Sequence, residues 1–293
     1  MLKGRLGLEG ARVPHRDRHG LMWLGRGSLY VESGTLRFTT AGDAALAAGD
    51  YGIPFQMVSC LLLQPGTSVT HDALRLLARH GTGLVFVGRD GVRFYASLPA
   101  GPDSSRRARS QAEAWSDPER RTLVVRRMYA WRLGEVFPAT DINALRGMEG
   151  ARMKETYRQL ARQFGVDWRG RRYDRSRPED TDVANQAINH ASSALEGAAL
   201  TAVAVSGTIP QLGFIHEDSG NAFALDVSDL FRDSVLLPVA FGATRKILTE
   251  KIGPVEAVVR KAAGETFYRE QVVAKMIDRI KDLFDGDDHR GDP

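Results

Sequence analysis

Between residues 22 and 97 the apolar positions fall in short runs at near period two, cut by turn signals: GSLYVESGTLRFTT, YGIPFQMVSCLLLQPG and TGLVFVGRDGVRFYAS. Val, Leu, Phe and Tyr in this spacing, with ESG and RDG between them, predict strands. One interruption has a different period. THDALRLLARHG carries a Thr cap, apolar residues at helical spacing and a terminal Gly, which predicts a single helix inserted in a β domain. The composition then changes: LPAGPDSSRRARS, rich in Pro, Gly, Ser and Arg, reads as a linker. From about Gln111 onward the periodicity is helical almost to the end, interrupted by a polar loop near residues 170–181 and by residues 207–210. The expected organisation is a β domain over residues 1–98, a linker over 99–110, a larger helical domain over 111–285 and a polar, frayed tail, GDDHRGDP, over 286–293.

Within the helical part, DINALRGMEGARMKETYRQLARQFG is the most informative stretch. At 100° per residue, Ile142, Leu145, Met153, Tyr157, Leu160 and Phe164 share an arc of roughly 120°. Glu149 falls inside that arc. A carboxylate on a stripe destined for burial has to be protonated, paired or bound to a metal. An ion pair with Arg146 or Arg152 is the plain structural reading; a metal is the functional one. Gly147 and Gly150 flank the glutamate, each costing ~1 kcal/mol against Ala in a helix, which suggests that something approaches the backbone there.

Further on, GFIHEDSGNAFALDVSDLFRD sets a histidine and several carboxylates beside strongly apolar residues. Asp226 and Asp229 stand three apart at what reads as a helix start, so their carboxylates share a face. His216 precedes them across a turn-containing excursion that can fold back. Here too a structural reading competes, since acids near a helix start complement the macrodipole and a single histidine after an apolar run is commonly a hydrogen-bonded core residue.

Composition adds limits. At 293 residues and 43% hydrophobic, the chain can fill one large core or two ordinary ones. The net charge of +4 is modest, but arginines cluster in SRRARS, ERRTLVVRR and RGRRYDRSR, and local clusters matter more than net charge for binding polyanions. Arg93, Arg121, Arg146 and Arg172 are the candidate nucleic-acid contacts, to phosphates with little base preference; solvated surface arginines are the alternative for any one of them. A single cysteine, Cys60, excludes an internal disulfide and a cysteine-based zinc cluster, as expected of a cytoplasmic protein. The N-terminal MLKGRLGLEGARVPHRDRHG has no apolar core of signal-peptide length. The most apolar run, residues 198–215, is broken by Ser206, Gly207, Pro210 and Gln211, so no membrane association is expected.

These residues resemble the universal integrase of CRISPR adaptation, the CRISPR-associated endonuclease that inserts new spacers, and subtype I-E members most closely. The resemblance rests on LRGMEGARMKETYRQLARQFGVDWRGRRYD, on GFIHEDSGNAFALDVSDLFRD and on QPGTSVTHDALRLLARHGTGLVFVGRDGVRFYAS, and extends over most of the chain to about residue 245. It implies an α+β protein with a small N-terminal β-sandwich domain, serving dimerisation and DNA contact, followed by an all-helical catalytic domain. It implies that Glu149, His216 and Asp229 bind Mg²⁺ or Mn²⁺ with Asp226 beside them, and that spacer DNA is joined to a CRISPR array by 3′-hydroxyl attack on repeat phosphodiesters. His216 acting as acid or base without ligating metal is equally compatible with its position. The implied partners are double-stranded DNA (prespacer and repeat), a second copy in a homodimer, and a small ferredoxin-like adaptation protein whose dimer bridges two such dimers. One departure stands out: where many members carry a tyrosine in the helix starting at Asn185, this chain has Glu196. A stand-alone structure-selective DNA nuclease and a catalytically silent DNA-binding scaffold are the alternative functions.

Overall fold

The computed structural model describes residues 19–43, 45–97, 105–134, 142–172 and 181–285, and it separates into two compact units. The expected tail, and residues 99–104 of the expected linker, lie outside the described residues.

The first unit holds strands β1 (His19–Leu24), β2 (Gly27–Glu32), β3 (Thr35–Thr40), β4 (Gly49–Gly52), β5 (Val58–Leu63), β6 (Thr67–Val69), β7 (Gly83–Val87) and β8 (Phe94–Ser97), with helix α1 (His71–His80) between β6 and β7. They form two four-stranded sheets, ordered β1-β5-β7-β8 and β4-β3-β2-β6. β5 lies between β1 and β7 and runs parallel to both, which explains why VSCLLL is apolar almost without alternation. In the other sheet β2–β3 and β3–β4 are antiparallel, and β3 alternates between exposed and buried positions as a half-covered strand should. Leu24, Leu29, Leu36, Phe38, Leu61, Leu63 and Leu84 fill one core, joined by Ala73 and Leu77 of α1. The inserted helix begins as its sequence predicts: the side chain of Thr70 accepts from the amide of Ala73, and Gly81 closes the helix in the left-handed region.

Cys60 is sealed in this core, and burial pushes its thiol up to about 12. Very little of it is ionised at pH 8, and the thiolate is the reactive species. The native protein is expected to resist iodoacetamide for hours at pH 8 and to be alkylated within minutes in denaturant, read by intact mass. Equal rates in the two conditions would contradict this packing.

The second unit contains α2 (Arg106–Ser116), α3 (Pro118–Leu133), α4 (Ile142–Gln163), α5 (Val183–Ser206), α6 (Ala222–Asp229), α7 (Leu237–Glu250), α8 (Val255–Arg269) and α9 (Val272–Phe284). α2 starts at Arg106, so residues 106–110 are helical rather than linker. α5 is the axial element. Its Ala187, Ala194, Gly197, Ala198 and Ala199 are buried, and α6, α7, α8 and α9 all pack on it. Small side chains around so much of a helix suit an element surrounded by neighbours. Phe214, Phe223 and Phe284 form an aromatic cluster with centroids 5.7–6.0 Å apart, fastening α6 to α9.

Residues Asp90–Phe94 cluster with this second unit, although the strand pattern assigns them to the first domain. The reason is steric. A side chain at Gly197 of α5 would sit 2.9 Å from Arg93 Cα, and one at Gly264 of α8 would sit 2.6 Å from Asp90 Cβ. Both glycines admit that turn against the helices. Between α6 and α7 the chain makes one π-helical turn, Arg232–Leu236, in which the amide of Leu236 reaches back to the carbonyl of Phe231 and that of Leu237 to Arg232. Among the described residues no helix is long and apolar enough to cross a membrane.

Candidate active site

His216 sits in the loop between α5 and α6, and its neighbours show how tightly that loop is held. Gly213 begins the tight part: a Cβ there would come within 2.2 Å of the His216 carbonyl and 2.7 Å of Ala222 Cβ. Asp226, on α6 and 0% exposed, then collects the amides. Its Oδ2 accepts from Phe214 N at 2.5 Å and Ile215 N at 3.1 Å, and its Oδ1 accepts from His216 N at 2.9 Å and lies 2.7 Å from His216 Nδ1. The carbonyls are taken from the other side. Gln111 Nε2 donates to Ile209 and Leu212, Trp115 Nε1 to Gly213, Arg121 to Phe214 and Arg146 Nη2 to Ile215. One carboxylate and four side chains from α2, α3 and α4 thus satisfy the polar backbone of the segment, as a buried loop requires. With Nδ1 engaged, the imidazole presents Nε2 to its surroundings. The hydrogen bond to Asp226 raises His216 above the ordinary imidazole range against an opposing effect of burial, and Asp229 raises it further.

Asp226 and Asp229 share a face, as their spacing predicts, but they do not open a helix. α6 begins at Ala222, with no side-chain cap from Asn221, and Asp229 is its last residue. Acids in a final turn face the negative end of the macrodipole, so the structural explanation that places them favourably at a helix start does not apply. What offsets their charge is specific: amides and imidazole for Asp226, and arginines for Asp229. Arg232 Nη2 donates to Asp229 Oδ1 at 2.5 Å, and Arg132 Nη1 stands 3.7 Å from Asp229 Oδ2. Burial disfavours the charge of Arg232, yet Asp229 holds its pKa above the ordinary value.

Glu149 comes to the same place from α4. Its side chain is 21% exposed, and its Oε1 lies 2.9 Å from Nη2 of Arg132, a residue of α3 rather than of its own helix. Arg132 is therefore the bridge between the two carboxylates. Its side chain is only 4% exposed. Tyr129, one turn earlier on α3, is pushed up to about 12 by burial and next by Glu149.

Of the residues singled out from the sequence, Glu149 and Asp229 meet through one guanidinium, and His216 and Asp226 meet directly. Among the described residues no three His, Cys, Asp or Glu side chains stand close enough to enclose a metal ion, and Arg132 stands between Glu149 and Asp229. Arg121 and Arg146 hold the His216 loop, Arg121 also pairing with Glu217. Arg93 pairs with Glu256 at 3.6 Å, and Arg172 is exposed, its amide donating to Asn185. Asn185 itself is fully buried. Sequence reasoning missed Arg132, Gln111, Trp115 and Arg232. Arg132 had a signal: it lies on the α3 stripe with Val125, Met128 and Tyr129, a charge on a buried arc like Glu149 but of opposite sign.

Comparison with known proteins converges on one family. Residues 21–136 and 130–253 match the family described as CRISPR associated protein Cas1. The chain is 37% identical over 272 residues to the CRISPR-associated endonuclease Cas1 of Escherichia coli K12, covering 92% of this chain and 86% of that protein. It is 35% identical to the protein of the same description from Geobacter sulfurreducens, again covering 92% of this chain and 86% of the relative. The solved structure described as a TtCas1–DNA complex superposes with a TM-score of 0.81 at 31% identity, over 94% of this chain and 100% of that one.

Proposed function

We infer the function from one premise: this chain belongs to the CRISPR-associated Cas1 protein family. On that basis it is a DNA endonuclease and integrase of CRISPR adaptation, and the residues support a metal-dependent transesterification that inserts spacer DNA into a repeat array. The observation that carries this reading is the convergence of Glu149 and Asp229, from separate helices, on one position already filled by a positive charge, with His216 within electrostatic reach of Asp229.

The donor chemistry fits a divalent ion. Two carboxylates and one imidazole are a hard, oxygen-rich set suited to Mg²⁺ or Mn²⁺, and a guanidinium standing between the carboxylates marks the place as one that attracts a cation. Glu149, Asp229 and His216 would hold the ion, which supplies activation of a hydroxyl nucleophile and polarisation of a phosphate. The protein's own contribution is placement. Asp226 and the four carbonyl donors fix the His216 loop, so the imidazole needs no reorganisation to present Nε2 to an ion. The bond made joins the 3′-oxygen of the incoming strand to a repeat phosphorus; the bond broken frees the repeat's own 3′-oxygen, which takes up a proton. One phosphodiester replaces another, so no nucleotide hydrolysis is needed.

The finer assignments are those that the family resemblance implies: a subtype I-E-like member, working in the cytoplasm as a homodimer formed largely through the N-terminal domain, two dimers being bridged by a dimer of the ferredoxin-like adaptation protein. Arg93 and Arg172 are the arginines most available to prespacer and repeat phosphates. Arg121 and Arg146 have the second task of holding the catalytic loop.

The test is 3′-end joining to a supercoiled repeat-containing plasmid, with the small partner present. Wild-type protein is expected to join ends in Mg²⁺ or Mn²⁺ and to lose joining by at least about a hundredfold in EDTA, recoverable on adding metal. Joining that persists in EDTA would refute metal dependence. Nicking with no joined product would point instead to a stand-alone nuclease, and DNA binding with neither to a scaffold.

A further inference from the structure

We propose that Arg132 is an internal counter-cation occupying the divalent-ion position between Glu149 and Asp229, and that a metal ion binds there by displacing it. This rests on the metal reading above. Two carboxylates brought together in a largely buried place repel each other, and in the metal-free protein a positive charge has to separate them. Arg132 supplies it, from a side chain that reaches solvent with only 4% of its surface.

Its seat is that of a provisional occupant. A guanidinium built permanently into an ion pair takes the planar two-bond arrangement, and this protein contains one: Arg107 meets Asp285 through Nε at 2.9 and 3.0 Å and Nη2 at 2.7 Å. Arg132 does not. Its Nη2 is 2.9 Å from Glu149 Oε1 without hydrogen-bond alignment, its Nη1 is 3.7 Å from Asp229, and among the described residues Nε and Nη2 make no hydrogen bond. Buried N–H groups left so are costly, so the seat gives up little when vacated. Displacement strands neither party. Asp229 keeps its bond to Arg232. Asp233, within electrostatic reach of Arg132, has a buried Oδ1 with no hydrogen-bond partner among the described residues, to which the freed guanidinium can turn. The enzyme is thereby kept assembled without metal, at the expense of metal affinity.

The experiment uses the full chain as wild type, Arg132→Met, Arg132→Lys and Glu149→Gln. Mn²⁺ binding is read from loss of the free-ion electron paramagnetic resonance signal, and unfolding temperature is measured in EDTA and in Mn²⁺. Removing a unit charge about 4 Å from the ion should tighten Mn²⁺ binding at least ~10-fold in Arg132→Met. The same variant should melt lower in EDTA and gain more from Mn²⁺ than wild type does. Arg132→Lys, whose single ammonium cannot serve both carboxylates, should fall between, and it carries the test if the Met protein does not fold. Binding that is unchanged or weaker in a folded Arg132 variant, while Glu149→Gln abolishes it, overturns the displacement alone. Binding that survives Glu149→Gln overturns the underlying metal reading, and the displacement with it.

Discussion

Glu149→Gln is expected to fold and, on the proposed function, to lose 3′-end joining by about a thousandfold or more, because removing the charge proposed to hold the ion forfeits several kcal/mol of stabilisation at the phosphate and nucleophile. Gln keeps the size and most of the packing of Glu on α4, where the residue is partly exposed, so the scaffold should survive. What it discards is the negative charge facing Arg132. Some loss of thermal stability follows, since the guanidinium is then balanced from the Asp229 side only. His216→Ala should lose joining to a similar extent, and for a half-buried loop residue its stability should change less still. The measurement is joining to a supercoiled plasmid in Mg²⁺ and Mn²⁺, with each variant checked by thermal unfolding and for association with DNA. A folded Glu149→Gln protein joining within tenfold of wild type would remove the carboxylate from the chemistry. Binding without joining is the expected pattern, and it separates an enzyme from a scaffold.

Asp226→Asn is expected to act in the opposite way, on stability first. Asp226 is buried and its two oxygens serve three backbone amides and an imidazole. An amide in its place offers one oxygen and one NH₂, and the NH₂ must face donors. Breaking a buried charged network of this kind costs ~3–5 kcal/mol, visible as a fall in the urea midpoint with unchanged slope. Activity should fall with it, since His216 loses both its amide anchor and its Nδ1 partner. The contrast with His216→Ala makes the argument specific: one residue holds the loop, the other is held by it. An Asp226→Asn protein within 1 kcal/mol of wild type would mean that the loop is organised by its carbonyl donors instead.

Much of the fold is legible in the sequence because its signals are local. The Thr cap and closing Gly of α1, the alternation of β3 and the unbroken apolar run of β5 each follow from neighbours a few residues apart. Glu149 is legible for the same reason, as a charge on a helical stripe. The helix carrying Asp226 and Asp229 was harder to place, since Asn221 makes no side-chain cap and nothing sharp marks Ala222 as the start. The least legible features are tertiary. Gln111, Trp115, Arg121 and Arg146 reach their loop carbonyls from 69 to 101 residues away, and no periodicity encodes such a pairing. The departure of residues 90–94 from the first unit depends likewise on two glycines in helices far along the chain. Arg132 falls between these cases: its burial was readable on α3, but its partners on α4 and α6 were not.

The π turn at Arg232–Leu236 is the place where the segment after Asp229 can absorb a change of length. A π turn accommodates one residue more than the α-helical turn it replaces, and this one runs directly into α7, the amide of Leu237 bonding to the carbonyl of Arg232. Loss of one of its residues other than Arg232, which bonds Asp229, can be taken up by closing the turn to ordinary α-helical pitch, with Leu237, Ala240 and Phe241 kept in the core. A deletion within α6 or α7 has no such slack, and at about 100° per residue it would rotate everything beyond it. Homologous chains are therefore expected to differ by one residue here more readily than within either flanking helix.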